Sequence, residues 1–286
     1  MKRRRHRALL VALAVPVVAL TLSSCGSDAD LPLGAQDGAM VSGHLHNLAY
    51  DGDNLVLGTH YGLFTQAPDQ APVQISENDF DVMGLALTKT TWFASGHPSP
   101  DMEAPSDLGL MASDDGGVVW RNVSLSGEVD FHRLTASGDV IVGQSAPDLL
   151  LMRSEDAGIS WRNLGSPEIF DLAINPLNNT DIIATTERGI VRSTDGGETF
   201  SAVAGAPLVM LVAWSAEAAY GVDPDGQIHV STDNGNTWQP RSSLDGQPIA
   251  IAAQGGHVAV LSGDQIWESK DGGESFDVRI VNLGGH

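Results

Sequence analysis

"STDGGETF", residues 193–200, is one of five closely similar stretches in this chain. The others are "SDDGGVVW" (113–120), "SEDAGISW" (154–161), "STDNGNTW" (231–238) and "SKDGGESF" (269–276). Each has Ser first, Asp two residues on, Gly two further and an aromatic three after that. Their starts lie 41, 39, 38 and 38 residues apart. Self-similarity at a fixed period of 20 to 50 residues marks a repeat architecture. The spacing has a physical basis: Ser closes one strand, the aromatic opens the next, and between them Asp can accept backbone N–H bonds while Gly takes a positive φ. The five Asp residues therefore read as folding devices, not catalytic acids.

Around 193–200, the segments "FDLAINP", "DIIATTE", "GIVRS" and "FSAVAG" read as four short strands, A to D, separated by Asn, Gly and Pro turns. The repeat resembles the Asp-box, or BNR, motif S-x-D-x-G-x-T-W. With about forty residues and four strands per unit, the fold class is all-β: a six-bladed β-propeller with Asp-box turns between the third and fourth strands of its blades. The blades are expected over 44–76, 77–124, 125–165, 166–204, 205–243 and 244–283. Blade 1 carries "GLFTQAPDQAPVQI" where a box would stand. Because blades 1 and 6 each own four strands, the ring is expected to close by packing, without a shared strand.

The first 24 residues read as a signal peptide: Lys2, Arg3, Arg4, Arg5 and Arg7, then an apolar run from Ala8 to Leu22. "LSSC" at 22–25 resembles the lipobox of bacterial lipoproteins, which implies lipidation of Cys25. Cys25 is the sole cysteine of a chain exported to where disulfides could form. Residues 25–43 then form a lipidated Cys and a flexible tether ahead of the propeller at 44–283. The expected location is the cell membrane, lipid-anchored on the extracytoplasmic face, as a monomer. Removing residues 1–24 takes 5 of 15 basic residues and none of the 36 acidic ones, so the net charge moves from -21 to -26 (10 minus 36). That surface repels phosphate backbones, so nucleic acid is not an expected partner; a glycan or a protein is.

Aligning the six A strands gives two columns. One reads His44, Asp81, Asp130, Glu168, Leu208, Pro248; the other, two residues on, reads His46, Met83, His132, Phe170, Met210, Ala250. Residues two apart on a strand face the same way, and strand A lines the channel, so both columns should ring one mouth. The B–C connections open there too, adding His60 and, from the long "SGHPSPDMEAPSDLG", His97. Five of the nine histidines thus fall at the mouth of blades 1 to 3. Two readings are open: the mouth histidines and aspartates hydrogen-bond loop backbones, or they form a ligand site in which His46, His132 and Met83 would hold a transition metal, copper or zinc, with the thioether tilting the choice toward copper. His44, His60, His97 and Arg133 are the expected ligand-binding residues, and Asp81 and Asp130 the carboxylates available for catalysis.

The family resemblance bears on activity in two ways. Sialidases, the best-known Asp-box enzymes, clamp a carboxylate with three arginines; here only Arg133 and Arg188 are placed near the channel face, so a sialidase is not expected. Other Asp-box propellers hydrolyse glycans with two carboxylates across a cleft, a role open to Asp81 and Asp130. A further resemblance is to the photosystem II assembly-factor type of propeller, a binding protein without catalysis. The two function classes are thus a ligand- or partner-binding lipoprotein and a glycoside hydrolase.

Overall fold

The structure is a computed structural model that describes residues 44–75 and 79–283. The signal peptide, Cys25 and the tether, all within residues 1–43, lie outside the described residues.

The B strands show why these segments form sheets. Every residue of Val140–Ser145 and of Ala219–Val222 is buried. A strand covered on both faces reads as a continuous run of apolar and small residues, without alternation. Such strands need a sheet on either side, and the chain supplies six. Each has four antiparallel strands that are consecutive in sequence and in space, A next to B next to C next to D. The A strands are Leu45–Asp51, Asp81–Leu87, Phe131–Ser137, Asp171–Asn175, Leu211–Trp214 and Pro248–Gln254. Each packs against the A strand before and after it, and the sixth packs against the first. The chain folds as a six-bladed β-propeller, with all four strands of each blade its own.

The core lies between blades. Leu55 and Leu57 of blade 1 share a cluster with Leu261 and Ile266 of blade 6, and Ile182 of blade 4 packs with Val142 and Leu151 of blade 3. Each such fully buried side chain is worth roughly 1.5–3 kcal/mol.

The five repeated turns are closed hydrogen-bond loops that also seat one blade on another. In the turn at 193–200, Ser193 is buried; its Oγ donates to Asp195 Oδ1 (2.7 Å) and accepts the Gly197 N–H (2.8 Å). Asp195 Oδ1 also accepts the Thr199 N–H (3.0 Å), and Oδ2 accepts the Thr199 hydroxyl. The same bonds recur at Asp156, Asp233 and Asp271. At Asp115 the position holds Val119, so only the backbone bond forms. The tryptophans donate Nε1 to the carbonyl of the turn glycine, as Trp238 does to Gly235 (3.1 Å). Gly158 sits at φ +89°, and a Cβ there would stand 2.0 Å from Leu110 Cδ2 of the preceding blade. Glycine is required for the turn and for the seam alike.

Ring closure adds a polar clasp to apolar packing. Arg279 of blade 6 donates Nη1 to Glu268, Nε to Gln66 Oε1 (2.7 Å) and Nη2 to the Asp53 carbonyl (2.8 Å) of blade 1. Tyr50 donates its hydroxyl to Glu268 Oε1 (3.1 Å). Burial, then the Glu268 charge, push the Tyr50 phenol well above its ordinary value, so it stays a protonated donor. Gln66 stands near the blade 1 C–D turn, the one without a box, and its Nε2 closes that turn on the Gln70 carbonyl (2.9 Å).

Replacing Arg279 by Ala leaves Glu268 charged and buried, so urea unfolding should show a loss of roughly 3–5 kcal/mol. The turns give the fold an acid limb. Hydrogen bonds from hydroxyls and N–H groups hold Asp156, Asp195 and Asp271 at about 2, below the ordinary carboxyl value of 3.8. This stability is fully present above the unfolded value and lost as pH falls through the folded one. Melting temperatures should therefore drop between about pH 4 and pH 2, and Asp195→Asn should flatten that drop.

Candidate functional site

One extra residue in strand A builds the mouth. In blade 1, Leu45 pairs with Thr59 and Asn47 with Gly58, which leaves His46 between them without a partner residue. The same shift leaves out Met83 in blade 2, His132 in blade 3 and Ile249 in blade 6. A bulge of this kind bends the strand and re-aims a side chain. The blade 6 members of both columns thus move by one residue from the expected Pro248 and Ala250: Ile249 takes the position of His46, because Pro248 pairs with Ser262 and Ala250 with Leu261.

The mouth residues of blades 1 to 3 gather into two triads. His46 and His60 of blade 1 meet Asp81 of blade 2; His97 of blade 2 meets Asp130 and His132 of blade 3. In each, one donor atom from every residue lies within 4.8 Å of the others. His60 Nδ1 is 2.8 Å from Asp81 Oδ2, and His46 Nε2 is 3.3 Å from Asp81 Oδ1. In the second triad, His97 Nε2 is 3.4 Å and His132 Nε2 2.6 Å from Asp130 Oδ2. Asp130 is buried, and the histidines remain partly open to the mouth.

The polar bookkeeping of these six residues is incomplete. Seven buried side-chain nitrogen or oxygen atoms among the described residues lack a hydrogen-bond partner. Four of them are His46 Nε2, Asp81 Oδ1, Asp130 Oδ1 and His132 Nε2. The His46–Asp81 and His132–Asp130 contacts stand at ion-pair distances without hydrogen-bond geometry. Burial tends to raise Asp81, but the His46 and His60 side chains outweigh it and hold the carboxyl below its ordinary value. His97 Nδ1 lies 2.9 Å from the Ser106 carbonyl, an acceptor only. Nδ1 therefore carries a proton, and Nε2 is left to face Asp130.

The other expected site residues are placed differently. His44 is exposed, belongs to neither triad and accepts the His60 N–H on its carbonyl (3.0 Å). Met83 is half-buried at the bulge of blade 2, the position that His46 holds in blade 1. Arg133 donates Nε to the Phe170 carbonyl and Nη1 to the His132 carbonyl, and lies 3.7 Å from Asp171. Arg188, expected near the channel face, is almost fully exposed beside Glu187.

Sequence reasoning passed over three supports. Asn47 donates Nδ2 to the carbonyls of Val82 (3.0 Å) and Met83 (3.1 Å), pinning blade 2's bulge to blade 1. Ser106 and Asp107 of the long B–C loop hold His97. Gly96, at φ +153°, lets strand B approach so closely that a Cβ would stand 1.8 Å from the Asp81 carbonyl. The "SGH" context of Gly96 was the one available signal.

No protein-family model matches the chain, and no curated protein matches it. Solved structures do. A structure of a nidogen/laminin complex aligns with TM-score 0.63 at 11% identity, over 79% of this chain and 93% of that one. The GH74 xyloglucanase from Xanthomonas campestris aligns with TM-score 0.57 at 15% identity, over 84% of this chain and 46% of that one. The WD40 β-propeller domain of Doa1 aligns with TM-score 0.56 at 9% identity, over 82% of each chain. This chain therefore spans about half the length of the xyloglucanase. At these identities the likeness is one of fold.

Gly96→Ala should destabilise the protein by about 2 kcal/mol or more in urea unfolding, since backbone must move to admit the Cβ. A variant as stable as the parent would show that the close approach beside Asp81 is not required.

Proposed function

We propose that this propeller is a metal-binding protein whose mouth holds transition-metal ions at two His–Asp–His triads. The single observation that carries this reading is the gathering, in each triad, of two imidazoles and a carboxylate whose donor atoms lie within 4.8 Å of one another. Two imidazoles and a carboxylate suit zinc, copper(II) or iron(II), and on a four-coordinate ion they leave one position open. At metal bonds of about 2.0–2.2 Å, donors on one ion lie roughly 3.5 Å apart, a separation the triads approach. Met83 holds in blade 2 the bulge position that His46 holds in blade 1, and a thioether at the mouth favours copper. The signal-like residues 1–24 and Cys25 support a lipid-anchored protein on the extracytoplasmic face, with the open metal position free to take up a small ligand or partner group.

The glycoside hydrolase reading is weaker. A glycosidase needs one carboxyl kept protonated as general acid. Asp81 is shifted the other way. Burial does raise Asp171, but that side chain accepts the Val212 N–H (2.9 Å) and pairs with Arg133.

Protein stripped with a chelator and titrated with Zn²⁺ and Cu²⁺ should bind two ions per chain. His46→Ala and His132→Ala should each lose one, with little change in melting temperature. Uptake unaltered in the double variant would refute metal binding at the triads. Hydrolysis of any member of a glycan panel, abolished by Asp81→Asn, would instead favour the enzyme.

A further inference from the structure

Beside the second triad the mouth changes from polar to apolar. Between blades 3, 4 and 5 lies a cavity of about 450 Å³ walled by Leu149, Ile169, Phe170, Met210 and Leu211. Its polar lining includes His132, Arg133 and Gln144. This volume falls within the range of small-molecule sites, and mostly apolar walls with a few placed polar groups are their usual makeup.

Two of the walls are costly to the fold. Phe170 is 49% exposed at the position where blades 1 and 3 carry His46 and His132, and Leu149 is 43% exposed. Leu149 also stands at φ +55°, a left-handed conformation that costs a branched residue roughly 1–2 kcal/mol. Gln144, itself buried, holds it there by donating Nε2 to the Leu149 carbonyl (3.1 Å) and the Pro167 carbonyl (2.8 Å). Strain kept in place by a buried side chain at the rim of a cavity is a feature of ligand sites.

Arg133 supplies the head group's partner. Its Nε and Nη1 are tied to carbonyl oxygens and it has Asp171 at 3.7 Å, while Nη2 makes no hydrogen bond among the described residues. It is the one arginine or lysine in the lining, on a chain with a net charge of -21. Within the lining an oxyanion has no other arginine or lysine to hold it, and a guanidinium edge gives a directional, charge-assisted bond.

We propose that this trough binds a small amphipathic carboxylate, its head group on Arg133 Nη2 and its apolar body along Leu149, Ile169, Phe170 and Met210. The site stands beside the metal triads and does not depend on them.

The test is calorimetric titration of the full chain, metal-free after chelation, with octanoate, octan-1-ol and octylamine. One octanoate should bind per chain, at least about tenfold more tightly than either control, since a charge-assisted hydrogen bond is lost with the head group. Arg133→Gln should erase that preference. Leu149→Gly should bind octanoate more weakly while melting no lower than the parent, because glycine accepts the positive φ. No octanoate binding, equal binding of all three probes, or a folded Arg133→Gln protein that still prefers octanoate would overturn the proposal. If Arg133→Gln fails to fold, undiminished octanoate binding by Leu149→Gly overturns it. Zinc uptake should be the same in Leu149→Gly as in the parent, so failure of the trough and failure of the metal sites are separately visible.

Discussion

The buried serine hydroxyl at the head of each repeat turn holds this structure in register. It donates to the turn aspartate and accepts the N–H of a glycine that is pressed against a neighbouring strand. Removing it would leave a buried N–H and a carboxylate oxygen short of a partner at once, at a cost of roughly 1–3 kcal/mol for the orphaned amide alone. Repeated five times, the loop sets where strand C ends and strand D begins in blades 2 to 6. Blade 1 does without it and relies on the Arg279–Glu268–Tyr50 clasp, which joins the two ends of the ring.

With the register set, function rests on departures from it. The bulge in strand A turns one extra residue toward the mouth, and the residue types there differ from blade to blade. Blades 1 and 3 place histidines there, blade 2 Met83 and blade 6 Ile249; in blades 4 and 5 the aligned residues, Phe170 and Met210, stand just ahead of strand A. The last two positions also line the apolar trough. The mouth thus has a donor-rich side and an apolar side, on a scaffold whose backbone repeats closely. The donor-rich side carries an energetic cost, because buried polar atoms without a well-formed hydrogen bond destabilise a fold. Such a cost is kept where a ligand repays it.

The fold was legible because its signal is local and repeated: Ser, Asp, Gly and an aromatic at fixed offsets, five times over. The mouth was legible in part. His46, His132, Asp81 and Asp130 could be placed on one face from strand periodicity, and His60 and His97 from the B–C connections, yet their division into two triads depends on which blade each residue leans toward. Periodicity carries no such information. The bulge also moved the blade 6 column by one residue, since an inserted residue leaves no mark in an apolar run such as "PIAIAA". His44 has the right parity and the wrong neighbours. Gly96 and Asn47 escaped notice because their roles are close approach and a bond to a backbone carbonyl, which residue type alone does not announce.

Anomalous diffraction at the zinc absorption edge, from crystals of zinc-loaded protein, tests the central claim most directly. The expected result is two peaks, one within about 2.2 Å of donor atoms from His46, His60 and Asp81 and the other equally close to His97, Asp130 and His132. Zinc found only at surface carboxylates, with the triad histidines bonded to water or to one another, would contradict it.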